Sequence, residues 1–187
     1  MEPKSNVEQK LAESFKRLAL KSPIEKITIK EITDGAGVIR PTFYNHFQDK
    51  YELLEWIIRS EILLPVQQLM MEGQVSESLV RIFTNLKREK EFYRKVVRLE
   101  GQNSCEMITR KIVKEVLLGF INEHVGNRKA AQKGLTSDLI ADYYAQSITF
   151  AIIEWIKLNM SLSPDQMADI FRFITSHTMD EVIASMR

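Results

Sequence analysis

Apolar residues recur along the chain at the spacing of three or four positions that is typical of amphipathic α-helices. Leu11, Phe15, Leu18 and Ala19 form the first such stripe. The alternation of polar and β-branched residues that marks strands is almost absent, and glycine and proline number only 7 and 5. The pattern therefore predicts an all-α fold with about nine helices.

Start and stop signals divide the N-terminal part into short helices. Pro23 cannot easily continue the first helix. Thr28 and Glu31 then match a capping box, in which the Thr28 hydroxyl accepts from the Glu31 amide and the Glu31 carboxylate accepts from the Thr28 amide. Gly35 and Gly37 soon interrupt the second helix, which predicts a tight bend between two closely packed helices.

The third helix, placed on residues 39–47, has two different faces. Ile39, Phe43 and Phe47 fall on one side, which we expect to face the core. The other side carries Pro41, Thr42, Tyr44 and Asn45, with Arg40 and His46 at the borders. A short helix with a polar outer face, placed after a glycine-containing turn, is the helix-turn-helix arrangement in which the second helix enters the major groove of DNA.

The rest of the chain predicts longer helices. Asp49 can cap a fourth helix that we expect to reach Met71, with a kink near Pro65. Further helices are predicted over residues 76–90, 91–100 and 103–124, a connection over 125–136, and two long closing helices at 137–160 and from Ser163 onward. The first closing helix is apolar around most of its circumference, so it must be covered on two sides.

Composition limits the possible functions. Hydrophobic residues make up 44% and charged residues 27% of the 187 residues, which is ordinary for a folded protein. The formal net charge is only +1, so any binding to nucleic acid depends on a local positive surface. The polar start of the chain, and the lack of an apolar run long enough to cross a bilayer, predict a cytoplasmic protein without a membrane partner.

Cys105 is the single cysteine, which excludes an intramolecular disulfide and fits a reducing compartment. Its thiol is either a small buried side chain or a redox sensor. The sequence leaves both interpretations open.

The segment "TIKEITDGAGVIRPTFYNHFQDKYELL", residues 28–54, resembles the DNA-binding signature of the TetR (tetracycline-repressor) family of bacterial transcriptional regulators. The matching elements are Thr28, Ile32, "AGV" at 36–38, "PTFYNHF" at 41–47, and Lys50 with Leu53 and Leu54. Ile39 departs from the pattern, because the family often has a serine or threonine cap there, and Thr33 stands where alanine is common. The resemblance implies a three-helix DNA-binding domain over residues 1–48 and a helical regulatory and dimerisation domain over residues 49–187.

The resemblance also implies which side chains contact double-stranded DNA. Those at positions that face base edges are Lys30, Arg40, Pro41 and Tyr44, and those at positions that contact phosphates are Thr28, Thr42, Asn45, His46 and Lys50. Arg40 could bind guanine O6 and N7, and the Pro41 ring could contact a thymine methyl group. Alternatively, Tyr44 shields the helix pair, His46 caps a neighbouring element, or Lys50 is a solvated charge.

A homodimer is implied in the same way, because one helix-turn-helix reads only a few base pairs and a second copy supplies the other half-site. In relatives, the last two helices pack against their symmetry mates as a four-helix bundle. The residues we assign to this interface are Phe150, Ile152, Trp155, Ile156, Phe171, Ile174 and Met179. The alternative is that these helices complete a monomeric core.

The region between the predicted DNA-binding and dimerisation elements is rich in large side chains. By resemblance it holds an effector pocket, for which the candidates are Trp56, Phe83, Phe92, Tyr93, Arg98, Gln102, Asn103, Met107, Phe120 and Tyr144. Plain core is the alternative, and the scarcity of glycine-rich phosphate loops argues against a nucleotide effector. The stretch "EFYRKVVRLEGQNSCEMI" also resembles a branch that regulates dihydroxyacetone kinase genes, in which a partner protein rather than a small molecule can be the signal.

Two other classes of protein compete with this interpretation. An enzyme needs catalytic or metal-binding groups, but the chain has no recognisable nucleophile motif, and His46, His124 and His177 are far apart. A helical adaptor that binds only protein would explain the apolar helices but not the polar outer face of the third helix. We therefore expect a non-enzymatic regulator without metal or cofactor. It is expected to act on a palindromic operator as a ligand-responsive repressor, with an activator as the alternative.

Overall fold

The computed structural model describes residues 7–125 and 134–186, and over these residues the chain is all-α without strands. The helices are α1 Val7–Lys21, α2 Ile29–Ala36, α3 Arg40–Tyr44, α4 Lys50–Ile58, α5 Gln67–Met71, α6 Val75–Arg88, α7 Lys90–Val96, α8 Cys105–Val125, α9 Ser137–Lys157, α10 Pro164–Ser176 and α11 Met179–Ser185. Nine of the helices in the described ranges span seven or more residues, which confirms the predicted fold class. Most of the predicted connection at 125–136 lies outside the described residues.

The first four helices share one core. Helix α1 packs against α2 and α4, and α2 packs against α3. Leu11, Phe15, Ile32, Phe43 and Leu54 are all completely buried where these helices meet. Their burial removes the apolar faces of four short helices from water at once, which is how such short elements become stable.

The predicted capping box opens α2, with the Glu31 amide donating to Thr28 Oγ1 over 3.2 Å and the Thr28 amide donating to Glu31 Oε2 over 2.8 Å. The two glycines of this helix have different functions. Gly37 ends α2 with a φ of 68°, a left-handed conformation that suits glycine, and so makes the bend. Gly35 instead lies against α1, where a Cβ atom would come within 2.3 Å of Ser14 Oγ.

The break after α4 comes earlier than Pro65. A π-helical turn spans Arg59–Leu63 and a 3₁₀ turn spans Leu64–Val66 before α5 begins. The Leu64 amide donates to the Arg59 carbonyl, five residues back, instead of four. Because the Pro65 ring has no N–H and would clash with the carbonyl of Glu61, the widened turn lets the chain continue without a sharp break.

The remaining helices form a second layer. Helices α8 and α9 pack along each other, α6 packs against α10, and α7 joins this layer to α1, where the Phe92 and Phe15 rings meet edge to face with centroids 6.2 Å apart. The prediction of a single final helix from Ser163 onward is wrong. It divides into α10 and α11, because Thr178 and Glu181 form a second capping box that starts a new helix after extended His177.

Candidate nucleic-acid interface

The outer face of α3 is exposed while its inner face is buried. Phe43 and Phe47 are buried, whereas Pro41 is exposed and Tyr44 retains 48% of its accessible surface. Ile39 does not face the core as predicted, since it is 69% exposed. Ile39 is the residue before the helix, in an extended conformation and without a capping side chain. It therefore does not lie on a face of the helix, as the prediction assumed.

Helix α3 is also shorter than predicted. It ends at Tyr44, and the amides of His46 and Phe47 both donate to the Phe43 carbonyl in a closing turn. Asn45 and His46 are therefore exposed in this turn and not on a regular helical face. Thr42 is half-buried within the helix.

Arg40 and Tyr44 form one polar unit on the outer face. The Arg40 Nη2 and Nε atoms donate to the Tyr44 hydroxyl over 3.0 and 3.3 Å, and the guanidinium lies 5.5 Å from the centre of the ring. The two side chains are one helical turn apart, which permits this contact. The pair holds a planar donor group in place at the surface, the geometry that a guanine edge requires.

Two of the predicted DNA-contacting residues, at the start of α2, form hydrogen bonds with carboxylates of the same helix. Lys30 Nζ donates to Asp34 Oδ2 over 2.6 Å, and this hydrogen bond raises the pKa of Lys30. The Thr28 hydroxyl donates to Glu31 Oε2 over 2.7 Å, and the bonds from Thr28 lower the pKa of the Glu31 carboxyl. Both candidate side chains are exposed beside α3. DNA at this surface would have to compete with, or accommodate, the two carboxylates.

His46 contacts α1. Its Nδ1 atom lies 2.9 Å from Glu8 Oε1, so the imidazole holds the end of α3 against the start of α1. The contact is with a carboxylate side chain and does not itself cap a helix, and the His46 side chain remains partly exposed.

Lys50 is not a solvated charge. Its Nζ atom donates to the carbonyls of Glu25 and Ile27 over 2.6 and 2.9 Å, and partial burial lowers its pKa. The ammonium therefore joins the start of α4 to the turn that precedes α2. An ammonium group has three N–H donors, so one remains available for a phosphate.

The backbone amides near Lys50 that could also donate to a phosphate are largely occupied. The amides of Tyr51 and Glu52 donate to Asp49 Oδ1 over 2.8 and 2.9 Å, which confirms Asp49 as the cap of α4. The Gln48 amide donates to Glu52 Oε2. This occupation could be expected from the sequence, because a residue that caps a helix accepts from the same amides that an anion would need.

A cavity of about 310 Å³ lies between α4, its π-helical turn and helices α6 to α10. Of the predicted pocket residues, those that line it are Phe83, Tyr93, Phe120 and Tyr144. Trp56 lines a separate depression, which it shares with Phe120. The structure places Phe92, Arg98, Gln102, Asn103 and Met107 in neither wall. Phe92 faces α1 instead, and Met107 is exposed to solvent.

The sequence missed the aliphatic residues that form most of the cavity wall. Ile58 and Ile62 enter from α4 and the π-helical turn, and Leu79, Ile82 and Ile112 enter from α6 and α8. Only their helical spacing was visible in the sequence, and it cannot distinguish a cavity wall from a filled core.

Cys105 lines the same cavity. Burial raises the pKa of its thiol to about 11, and Sγ lies 3.8 Å from Thr109 Oγ1. A thiol with this pKa is protonated at neutral pH, so it lacks the thiolate character of a redox sensor. The structure favours the interpretation of Cys105 as a small buried side chain.

The residues assigned to dimerisation lie in three different environments. Phe150, Ile174 and Met179 are exposed. Ile152 and Phe171 are half-buried and line the cavity. Trp155 and Ile156 are buried in the protomer itself, so neither can be part of an exposed surface. The Trp155 ring packs edge to face on Phe83, with centroids 5.2 Å apart, and its Nε1 donates to the Leu162 carbonyl over 3.3 Å.

Further exposed apolar residues accompany them. On α9 they are Leu139 and Tyr143, on α10 Ile170, and on α11 Ile183. Leu139, Tyr143 and Phe150 follow helical spacing along one side of α9. This spacing is visible in the sequence.

No group of three or more His, Cys, Asp or Glu side chains in the described ranges is arranged to hold a metal ion. Among the described helices, none combines the length and the apolar character needed to span a membrane.

The exposed second helix of a helix-turn-helix, attached to a larger helical body, defines the class of DNA-binding transcriptional regulators. Comparison with known proteins agrees. Residues 16–57 match the family described as "Bacterial regulatory proteins, tetR family", and residues 73–177, more than half of the chain, match a TetR group described as "Transcriptional regulator C-terminal region". The chain belongs to the TetR family of bacterial transcriptional regulators.

Individual relatives are more distant. The chain is 39% identical over 59 residues to the HTH-type dhaKLM operon transcriptional activator DhaS of Lactococcus lactis, a match that spans 31% of this chain and 32% of that protein. A solved structure of the dihydroxyacetone kinase operon activator DhaS superposes with a TM-score of 0.62 at 21% identity, covering 90% of this chain and 93% of that one. NalD, a repressor of the MexAB-OprM efflux pump in Pseudomonas aeruginosa, superposes with a TM-score of 0.57 at 15% identity, covering 88% and 92%. The two superpositions show a shared fold.

Proposed function

We propose that this regulator binds a palindromic operator as a homodimer, with α3 of each protomer in the major groove. The observation that carries the proposal is the exposed Arg40–Tyr44 pair on a helix whose other face is anchored by completely buried Phe43. A rigidly held donor fork at the surface is suited to base edges. Pro41 and Asn45 lie exposed on either side of the pair, and Thr28, Lys30, Thr42, His46 and Lys50 surround it as the proposed supporting contacts.

The homodimer would form through the apolar surface of α9, α10 and α11. Phe150 and Tyr143 are each about two-thirds exposed, and Ile174 and Met179 extend the apolar surface onto the next two helices. Contiguous exposed apolar side chains of this size are unusual on a monomer and are typical of an interface. Two copies would place two α3 helices on one side of the assembly, as a palindromic operator requires.

The cavity would be the site of a small effector, and α4 gives it a connection to the DNA-binding part. Ile58 and Ile62 line the cavity, while Glu61 in the same turn pairs with Lys16 of α1 over 2.8 Å. An effector that displaces the π-helical turn would therefore also move α1. In this proposal, residues 1–48 are the DNA-binding domain and residues 49–187 are the domain that binds the effector and dimerises.

Repression in response to a small molecule is the mode of action we favour, and the cavity in the protomer supports the small-molecule part of this proposal. Activation controlled by a partner protein is the second candidate, and the similarity to DhaS, which is named an activator, favours it. Both modes regulate transcription in the cytoplasm and neither involves catalysis.

An electrophoretic mobility shift with the DNA beside the protein's own gene tests the proposal. A specific complex should survive unlabelled competitor of random sequence. It should weaken steeply as salt rises, because contacts with phosphates release counterions. A helical adaptor that binds only protein would give no specific band at any salt concentration, and that result would overturn the proposal.

A further inference from the structure

The walls of the cavity are almost entirely hydrocarbon. Aliphatic side chains enter from the π-helical turn, α6, α8 and α9, among them Ile62, Leu79, Ile112, Val116 and Ile148. A volume of about 310 Å³ is at the small end of the range for ligand pockets in proteins. The site therefore suits a compact molecule whose surface is mainly apolar.

One buried polar atom in this wall lacks a partner. Tyr93 lines the cavity and is 2% exposed, and its hydroxyl forms no hydrogen bond with the described residues. A buried hydroxyl without a partner is costly, so such groups in folded proteins usually meet a ligand or water. The orphaned hydroxyl is thus a second observation, independent of the cavity, that indicates a bound molecule.

Several other polar side chains around the cavity are already engaged. Ser78 donates to the Gln74 carbonyl over 2.9 Å, and Thr175 donates to the Phe171 carbonyl over 2.9 Å. The Cys105 thiol and the Thr109 hydroxyl form a hydrogen bond with each other. Tyr144 also lines the cavity, but it is 39% exposed, so its hydroxyl can reach water. Tyr93 is therefore the buried hydroxyl in the wall that a ligand can use without breaking an existing bond.

Charge in and around the cavity does not favour an anionic ligand. Arg172, the cation in the described wall, is mostly exposed at the rim and is paired with Asp169 over 2.7 Å and with Ser76 over 2.9 Å. On the other side, the carboxylates of Glu61 and Glu89 are close enough to Tyr93 to add to the effect of burial, which raises the pKa of Tyr93 well above its ordinary value.

Lys16 lies 2.8 Å from Glu61 and 3.7 Å from Glu89, so a single positive charge faces two negative ones. Among the described ion pairs near the Tyr93 hydroxyl, two carboxylates are thus opposed by one ammonium group. A carboxylate or phosphate placed against the hydroxyl would be repelled by these groups and would also lose its hydration.

We propose that the cavity binds an uncharged, mainly apolar molecule with one hydrogen-bond acceptor, and that the Tyr93 hydroxyl donates to this acceptor. The inference rests on the proposed function in taking such a molecule to be the effector, but the binding itself can be measured without DNA. Tyr93 would then determine specificity, because an analogue without the acceptor leaves the hydroxyl buried and unpaired.

Isothermal titration calorimetry on the full chain at pH 8 tests the proposal with two probes of equal chain length, 2-nonanone and nonanoate. The ketone has a neutral acceptor and the carboxylate is charged. We expect 2-nonanone to bind and nonanoate to bind at least about tenfold more weakly, because its charge must be desolvated. Equal or tighter binding of nonanoate would overturn the proposed ligand class, and so would the failure of both probes to bind.

Two matched variants test the role of the hydroxyl. Tyr93→Phe should weaken the binding of 2-nonanone about threefold to tenfold, the effect of one neutral hydrogen bond. Tyr51→Phe makes the same change on a half-buried tyrosine of α4 that does not line the cavity, and it should leave binding unchanged. The thermal midpoint of unliganded Tyr93→Phe should be equal to or above that of the parent, because an unpaired hydroxyl has been removed. Unchanged binding in Tyr93→Phe, or a clear fall in its midpoint, would show that the hydroxyl has another role.

The two proposals can fail separately. If the protein binds 2-nonanone as described but forms no specific complex with DNA, the proposed function is wrong and the ligand class stands. If the DNA complex forms but neither probe binds, the ligand class is wrong and the DNA-binding function stands.

Discussion

Gly35 lies so close to Ser14 that a single added carbon would collide with it. A Cβ atom built on Gly35 would be 2.3 Å from Ser14 Oγ and 3.5 Å from Ser14 Cβ. Ser14 is buried, and its hydroxyl has no hydrogen-bond partner among the described residues. The close approach of α1 and α2 therefore depends on the missing side chain at Gly35, and it fixes the position of the helix that precedes α3.

Gly35→Ala should lower the free energy of unfolding by about 1–3 kcal/mol, because the buried Ser14 side chain has to move. In a Ser14→Ala background the collision is absent, and Gly35→Ala should then raise stability by about 0.5–1 kcal/mol, the usual gain from alanine in a helix. Urea unfolding of the four proteins in this double-mutant cycle measures both effects. A loss of the same size in both backgrounds would show that the contact with Ser14 does not control the helix spacing.

Phe150→Glu and Trp155→Ala should separate the proposed dimer surface from the core of the protomer. Phe150 is exposed, so a charge there should leave the protomer folded but weaken the dimer. Trp155 is buried against Phe83, so its truncation should cost about 3–5 kcal/mol of folding free energy. Analytical ultracentrifugation and thermal unfolding distinguish the two results.

Leu20→Glu is the control for Phe150→Glu, since it places the same charge on an exposed apolar position of α1. It should not change the mass of the assembly. A Phe150→Glu protein that remains a dimer at the lowest measurable concentration would place the interface elsewhere.

The Cys105 thiol should make the protein less stable in alkali. Burial raises the pKa of this thiol from 9.0 to about 11, so between these values the unfolded chain has lost a proton that the native protein retains. The contribution of the buried thiol to the free energy of unfolding is therefore complete below about pH 9. It falls by about 1.4 kcal/mol per pH unit as the pH rises toward 11.

Cys105→Ala removes this titration and leaves that of Tyr93 in place. Between about pH 8.5 and 10.5, the free energy of unfolding of the parent should fall by about 1–2 kcal/mol more than that of the variant. Urea unfolding at the two pH values provides the measurement. Equal falls in the two proteins would mean that the thiol is accessible to water in the native state.

Lys50 should contribute to folding as well as to DNA binding. Its ammonium donates to two backbone carbonyls, of Glu25 and Ile27, so Lys50→Met should lower the free energy of unfolding by about 1–2 kcal/mol. Lys26→Met removes an exposed charge from the same turn and should change stability by less than about 0.5 kcal/mol. If the two variants are equally stable, the carbonyl contacts of Lys50 do not stabilise the fold.

The sequence predicted most of the N-terminal fold because local chemistry decides it. Thr28 with Glu31, Asp49 and Gly37 each act through backbone atoms a few residues away, and such contacts can be inferred from residue type and spacing. The resemblance to the TetR family was specific for the same reason, since its motif is a set of such local requirements together with the buried Phe43 and Phe47.

The candidate sites beyond α3 depend on contacts between distant parts of the chain, and there prediction was weaker. Trp155 and Phe150 both lie on an almost wholly apolar helix, and the packing of neighbouring elements decides that one is buried and the other exposed. Lys50 finds its carbonyl partners more than twenty residues away. The cavity exists because Ile62 and Tyr93 come together from separate helices, which no local pattern indicates.

The proposal that the outer face of α3 contacts DNA is tested most directly by fluorescence anisotropy with a labelled duplex taken from beside the protein's own gene. The doubly substituted protein Arg40→Ala/Tyr44→Ala should remain folded, because both side chains are on the surface, and should bind about tenfold to a hundredfold more weakly than the parent. Arg94→Ala, which removes a cation from α7 that is paired with Glu91, should bind like the parent. A doubly substituted protein that is folded and binds the duplex with the parent's affinity and salt dependence would contradict the account.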